Sequence, residues 1–366
     1  MASLKKNKVH PRLHHHPYHK DYMGLASEFR PFTMFADNAE YRSEAVNTDK
    51  FGLREQYDAQ GNFIDMEALS DVYEKCNIFI GGSAAFGVDA TSDKKTIPSF
   101  LNEADVPCIN LGVRGATSQQ ELILFMLFKQ YLPQIEHVFI FSGFNNVSWA
   151  SLPGSKYYKG FGGVFYGEDL LYRSFWAQQY EAVEDMKAYV SRHRLYRIFD
   201  RLFLKSRLIR SMAKLVFGGK VTHPSQPFAQ LGSFSQKLSH ATQILANDLH
   251  SWSIFAKGLN FSPIYILQPI FNWTEKKCIE SELACCLADE EENPSIALCT
   301  DNKLYLKYRE DVKSICRDND IAFLDANEWL QEHQYQQDDI FTCACHYTDR
   351  GNEIVASHIK KYLDTI

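Results

Sequence analysis

The chain has 366 residues, of which 45% are apolar and 23% charged, proportions that exclude a disordered chain, a collagen and a coiled coil. A net charge of −6 excludes general nucleic-acid binding by the whole protein. Aromatic content is high at 14%, enough to build a large core and still line a pocket.

The basic start, Met1 to Lys8, is followed by no apolar stretch, so no secretory signal is expected. The longest apolar run, Leu122 to Phe128, is far short of the roughly 20 residues that span a bilayer. Nine cysteines, an odd number without paired C-x2-C spacing, read as free thiols in a reducing compartment. The expected location is the cytoplasm, at most peripheral to a membrane. Residues 1–70 lack periodicity and read as an N-terminal arm packing on the core. Its histidines, His10, His14, His15, His16 and His19, belong to a polar, mobile stretch rather than a metal site.

From Asn77 onward a pattern sets in. Asn77–Ile80, Cys108–Leu111, His137–Phe141, Ile264–Leu267 and Ile321–Leu324 are short apolar runs, each closed by a turn or polar residue. Such runs, buried on both faces, read as parallel strands. Helices alternate with them. Ser118 to Leu132 opens with Ser118 and Glu121 at capping-box spacing, and its all-round apolar body predicts burial. Lys237–Lys257 and Glu353–Leu363 are further helices. The alternation predicts a three-layer α/β/α sandwich on a five-stranded, mainly parallel sheet, with working residues at the C-terminal strand ends. The expected division is an arm (1–70), a core (71–150 and 236–366) and a helical insertion or cap (151–235). Within the insertion, 192–220 carries nine Lys/Arg against Asp200, about +8. A solvated basic face is the plain reading; contact with a membrane surface or an anionic partner is the alternative.

Polar residues follow each strand. Ser83 lies in Gly81-Gly82-Ser83-Ala84-Ala85-Phe86-Gly87, which is neither a Walker A loop nor a G-x-S-x-G elbow. Next come Asn110-Leu111-Gly112-Val113-Arg114-Gly115, then Gly143-Phe144-Asn145-Asn146, and finally Cys343-Ala344-Cys345-His346. Singly, each block is weak. In this order, on this strand pattern, they resemble the SGNH (GDSL-type) esterases and lipases, whose fold is flavodoxin-like. The likeness covers about residues 77–146 and 261–363.

The resemblance implies a serine hydrolase that cleaves an ester, whether an acylated carbohydrate, a lipid or a thioester, through an acyl-serine intermediate. It implies Ser83 as nucleophile and His346 as general base, with the Ser83 and Gly115 amides and the Asn145 side chain as oxyanion donors. It calls for no metal and no organic cofactor, and its partner is a small-molecule ester. One position departs from the pattern: the family's Asp, three residues before the His, is Cys343 here. Three accounts stay open. A backbone carbonyl holds His346 in a Ser–His dyad, so that Cys343→Ala is tolerated; or Asp338 or Asp339 swings in; or the site is weakened into an SGNH-fold binding protein. An O-acyltransferase acting on a carbohydrate is the alternative chemistry for the same site. Outside these blocks, Phe51 and Arg54 read as packing and an ion pair, or as a substrate rim. Gln268 and Trp273 read as pocket lining or shielded core. Asn146 is assigned no chemistry.

Overall fold

The computed structural model of the protein describes residues 10–30, 33–103, 106–151, 232–277 and 279–366. The basic segment 192–220 and nearly all of the insertion expected at 151–235 lie outside the described residues.

Strands β1 (Ser27–Arg30) and β2 (Met34–Asp37) form a small antiparallel pair. The main sheet holds β3 (Lys75–Gly81), β4 (Cys108–Asn110), β5 (Gln134–Ser142), β6 (Ser262–Leu267) and β7 (Ala322–Asp325). Its order is β4-β3-β5-β6-β7 and every pairing is parallel. The expected three-layer sandwich is therefore present, with all five strands where the apolar runs lie.

Strand side chains alternate between the two faces. Phe79, Phe139, Phe141, Ile264 and Ile266 point into one core, shared with Ile97, Leu101, Ile354, Val355 and Ile359 from the helices Ile97–Leu101 and Asp349–Leu363. On the other face, Phe125 of the helix Ser118–Phe128 packs on Trp252 of the helix Phe234–Leu259, ring centroids 4.7 Å apart. Both faces are covered, so the strands are apolar throughout. The chain leaves β3 for β4 on one side and returns to β5 on the other. That reversal opens a crevice at the C-terminal ends of β3 and β5, where open α/β sheets bind ligands.

Two details of the helix Ser118–Phe128 differ from expectation. The cap is Thr117, not Ser118, and Gln120 completes the box: its Oε1 accepts the Thr117 amide at 2.9 Å. The run Thr117-Ser118-Gln119-Gln120-Glu121 fits the capping pattern in two registers one residue apart. In the register adopted, Ser118 and Glu121 turn inward. The helix is also not buried all round, since Met126 and Leu127 are exposed.

The inward turn creates a buried acidic pair. Ser142 Oγ donates to Glu121 Oε1 and Ser118 Oγ to Asp248 Oδ2, each at 2.7 Å, and among the described residues Glu121 Oε2 has no hydrogen-bond partner. Burial pushes Glu121 up to about 8 and Asp248 up to about 7. A carboxyl whose folded pKa lies above its unfolded value binds more protons when folded, so stability falls as pH rises through that window. Unfolding free energy should thus decline between about pH 4.5 and 8. Glu121→Gln should flatten that decline and raise stability at pH 8 by on the order of 1 kcal/mol, measured by urea unfolding across the pH range.

Candidate active site

Ser83 is the first residue of the short helix Ser83–Phe86, directly beyond β3. Gly82 precedes it because space is lacking: a Cβ there would strike the Asn145 side-chain amide. Asn145 lies in the helix Phe144–Ser151 beyond β5, and its Nδ2 donates to the Ala116 carbonyl at 2.7 Å. Gly115, beyond β4, has φ +78°, a conformation natural to glycine, and its carbonyl accepts Trp149 Nε1 at 3.1 Å. The loops after β3, β4 and β5 thus meet around Ser83, at the crevice where the strand order reverses.

His346 arrives from the far end of the sequence. Its Nε2 lies 2.7 Å from Ser83 Oγ. It sits on a tight loop closed by the Phe341–Tyr347 bridge and by the Thr342 amide, which donates to the His346 carbonyl at 3.0 Å. The end of β6 clamps this loop. Gln268 Nε2 donates to the Cys345 carbonyl at 3.1 Å, Phe271 N to the Ala344 carbonyl at 2.9 Å, and Tyr347 OH to the Pro269 carbonyl at 2.7 Å. Gln268 therefore holds the His346 loop rather than lining a pocket. Trp273 is core, stacked on Tyr305.

The other ring nitrogen carries the departure. Among the described residues, Nδ1 faces Arg12 Nη2 at 2.9 Å, Cys343 Sγ at 3.0 Å and Cys345 Sγ at 3.8 Å, with no carbonyl in reach. The expected backbone acceptor is absent there. The expectation for Asp338 and Asp339 is corrected as well. Asp338 accepts Arg350 Nε at 2.9 Å, Asp339 accepts Ser281 Oγ at 3.4 Å, and neither touches His346. Cys343 itself stands where the resemblance places an aspartate.

Burial raises the pKa of the Cys343 thiol. The Cys345 thiol that donates to it, the Arg12 charge and His346 together outweigh burial and bring it well below the ordinary thiol range. Cys345 moves the other way, through its hydrogen bond to Cys343 and then burial. Burial, with Cys343 next, lifts Asp289 to about 8; its Oδ2 accepts the Ala344 amide at 3.3 Å.

Arg12 is the residue that sequence reasoning missed. It lies in the short helix Pro11–His15, and Asp89 accepts both its Nε at 2.8 Å and its Nη2 at 2.5 Å. Asp89 is fully buried. It also faces His19 Nδ1 at 2.6 Å and accepts Thr342 Oγ1 at 2.5 Å. Burial raises its pKa, but Arg12, then His19 and His346, hold it well below the usual carboxylate range. Arg114 ties down the next stretch of arm, through Asp37 Oδ1 at 2.6 Å and the Leu25 carbonyl at 2.5 Å. The stretch His10–His19, expected to be mobile, is anchored beside His346. No spacing signal pointed there, because Arg12 and Asp89 are 77 positions apart.

Cys343, Cys345 and His346 offer donor atoms within 4.8 Å of one another, a spacing that fits a soft metal ion. The Arg12 guanidinium, 2.9 Å from Nδ1, already supplies a positive charge at that place, which opposes a cation. Arg54 serves structure: its Nε donates to Asp93 at 2.9 Å and it is 1% exposed, while Phe51 packs edge-on against Phe128. Asn146 is a buried partner of Ser118, to which its Nδ2 donates at 2.8 Å. Among the described residues no helix is long and apolar enough to cross a membrane.

No family model matches the sequence, and no curated protein does. Several solved structures show a distant likeness. A member of the lipolytic G-D-S-L family from Veillonella parvula is 10% identical with a TM-score of 0.41, covering 80% of this chain and 100% of that one. An acetyl xylan esterase, AlAXEase, is 11% identical with a TM-score of 0.38, covering 78% and 98%. A GDSL-like lipase from Bacteroides thetaiotaomicron is 13% identical with a TM-score of 0.38, covering 80% and 89%. At these values no residue assignment is transferred; the fold rests on the strand order and the site on its own distances.

Removing Arg12 leaves the Asp89 carboxylate buried without its cation. Arg12→Ala should cost about 3–5 kcal/mol of stability, read by urea unfolding. Adding Asp89→Asn should recover part of that loss, because the uncompensated charge goes with it.

Proposed function

We propose that this chain is a divergent SGNH-type serine esterase, with Ser83 as nucleophile, His346 as general base and the Cys343 thiolate as the third member. The single observation that supports this most is the 2.7 Å approach of Ser83 Oγ to His346 Nε2, made by residues 263 positions apart at the switch-point crevice.

In this reading His346 Nε2 takes the Ser83 proton as Oγ attacks the ester carbonyl. The oxyanion is met by the Ser83 and Gly115 amides and the Asn145 side chain, each donor worth about 10²–10³ in rate. Collapse expels the alcohol or thiol, which takes the proton from His346. Water, deprotonated by the same nitrogen, then releases the acid. For Nε2 to act as a base, Nδ1 must carry the other proton and donate it. A thiolate at Cys343, 3.0 Å away, accepts that proton, and in this tautomer the Arg12 Nη2 contact at 2.9 Å sets two donors face to face, so the guanidinium has to draw back toward Asp89 as the ring takes its working form; a neutral thiol would orient the ring poorly. Arg12 makes the thiolate affordable in a buried place, and Asp89 balances Arg12. The same guanidinium opposes the imidazolium that forms as Ser83 attacks, so turnover should be slower than with a carboxylate in this position. The substrate is an ester of an acylated carbohydrate, a lipid or a thiol.

A fluorophosphonate probe should label the protein at Ser83, and Ser83→Ala and His346→Ala should abolish labelling and hydrolysis of a short p-nitrophenyl ester. Cys343→Ala should lower kcat by about 10²-fold or more, while Cys343→Asp should keep it within about tenfold of the parent. Absence of labelling at Ser83 in folded protein contradicts the reading. Full activity in Cys343→Ala removes the thiolate from it.

A further inference from the structure

A second cysteine stands beside the pair that holds His346. We propose that Cys343 and Cys345 form a redox-modification site: a peroxide closes them into a disulfide, which withdraws the thiolate from His346 and switches the Ser83 site off. The switching half rests on the esterase reading; the disulfide half does not.

Geometry is the first argument. Both sulfurs point at one atom, Nδ1 of His346, from 3.0 and 3.8 Å, and all three donor atoms lie within 4.8 Å. A disulfide needs its sulfurs about 2.0 Å apart. Only Ala344 separates the two cysteines, on a loop whose ends are fixed by the Phe341–Tyr347 bridge. Side-chain rotation at the tip can close the gap without moving a strand.

Reactivity is the second. Peroxide reacts with thiolates in electropositive, reachable places. Cys343 has the Arg12 charge beside it; it is itself buried, like the remaining cysteines, but its neighbours Cys345 and His346 are only half-buried, and a molecule as small as hydrogen peroxide has to pass only them. The other described cysteines, Cys76, Cys108, Cys285, Cys286, Cys299 and Cys316, are all free and buried, with their thiols pushed up by that burial.

The chemistry balances. The Cys343 sulfur attacks one peroxide oxygen, the O–O bond breaks, and hydroxide leaves and is protonated to water, giving a sulfenic acid. The Cys345 sulfur, its proton passed to solvent or to His346, attacks the sulfenyl sulfur and expels the second hydroxide. Two thiols and one hydrogen peroxide become one disulfide and two waters. Nδ1 then has no thiolate to receive its proton, and the ring loses the partner that sets its tautomer. Dithiothreitol reverses the step by thiol exchange.

One tryptic peptide, Asp318–Arg350, contains these two cysteines and no other, which makes the test direct. The full chain is treated with hydrogen peroxide, alkylated and digested, and fluorophosphonate labelling is read in parallel. The expected result is a peptide lighter by two hydrogens with neither cysteine alkylated, together with a loss of labelling of about tenfold or more, both restored by dithiothreitol. In Cys345→Ser the same treatment should leave Cys343 as a sulfinic acid, with a loss of labelling that dithiothreitol does not reverse. The comparison is treated against untreated for each variant, whatever its starting rate. Two alkylated cysteines after peroxide, a bridge to Cys285 or Cys286, or undiminished labelling of the oxidised protein would each overturn the proposal. If reduced protein never labels at Ser83, the esterase reading fails, while the peptide mass still decides whether the pair closes.

Discussion

The contact on which the site depends is the buried pair of Arg12 and Asp89. A carboxylate with no exposure has to be matched by charge and hydrogen bonds or it will not stay ionised. Asp89 is matched by Arg12 from the arm, His19 from the arm and Thr342 from the base of the His346 loop. Satisfying that one charge joins three parts of the chain at a single point: the arm, the loop after the Ser83 helix and the His346 loop. The guanidinium so fixed stands beside both His346 and Cys343, where, with the Cys345 hydrogen bond ahead of it and His346 behind, it draws the thiol's pKa well below the ordinary range. The arm, the His346 loop and the environment of the Cys343 thiol all meet at this one neutralised charge.

The sheet supplies the rest. Its order sends the chain from β3 out to β4 and back to β5, so three loops converge on one crevice. Glycines at the convergence let backbone and side-chain amides approach Ser83 closely, as with Gly82 against Asn145. The end of β6 then braces the His346 loop through Gln268, Pro269 and Phe271. Every strand of the main sheet except β7, whose Asp325 is taken up by Tyr305 OH and its own helix cap, contributes to the site by its C-terminal end.

The strands were legible because burial on both faces leaves an uninterrupted apolar run, a signal that does not depend on register. Ser83, Asn145 and His346 were legible because each follows such a run or belongs to a block of characteristic spacing. The capping register of the helix Ser118–Phe128 was not, since two overlapping patterns differ by one residue and only the tertiary partners, Ser142 and Asp248, decide between them. What holds His346 was not legible either. A charge pair formed across 77 positions leaves no periodic trace, and an arm without periodicity gives no reason to look for its partner in the core. Cys343 was visible as a departure; the depression of its thiol pKa was not, since it comes from Cys345, Arg12 and His346 acting together and the sequence does not place Arg12 there.

The claim that matters most is that a thiolate stands behind the histidine. It is tested by titrating the ultraviolet thiolate absorbance of the reduced protein and subtracting that of Cys343→Ser. The difference should show one thiolate already formed well below the pH at which an ordinary cysteine ionises, and Arg12→Lys should shift its midpoint upward. A difference signal that develops only in the ordinary thiol range, or no difference at all, would contradict the account.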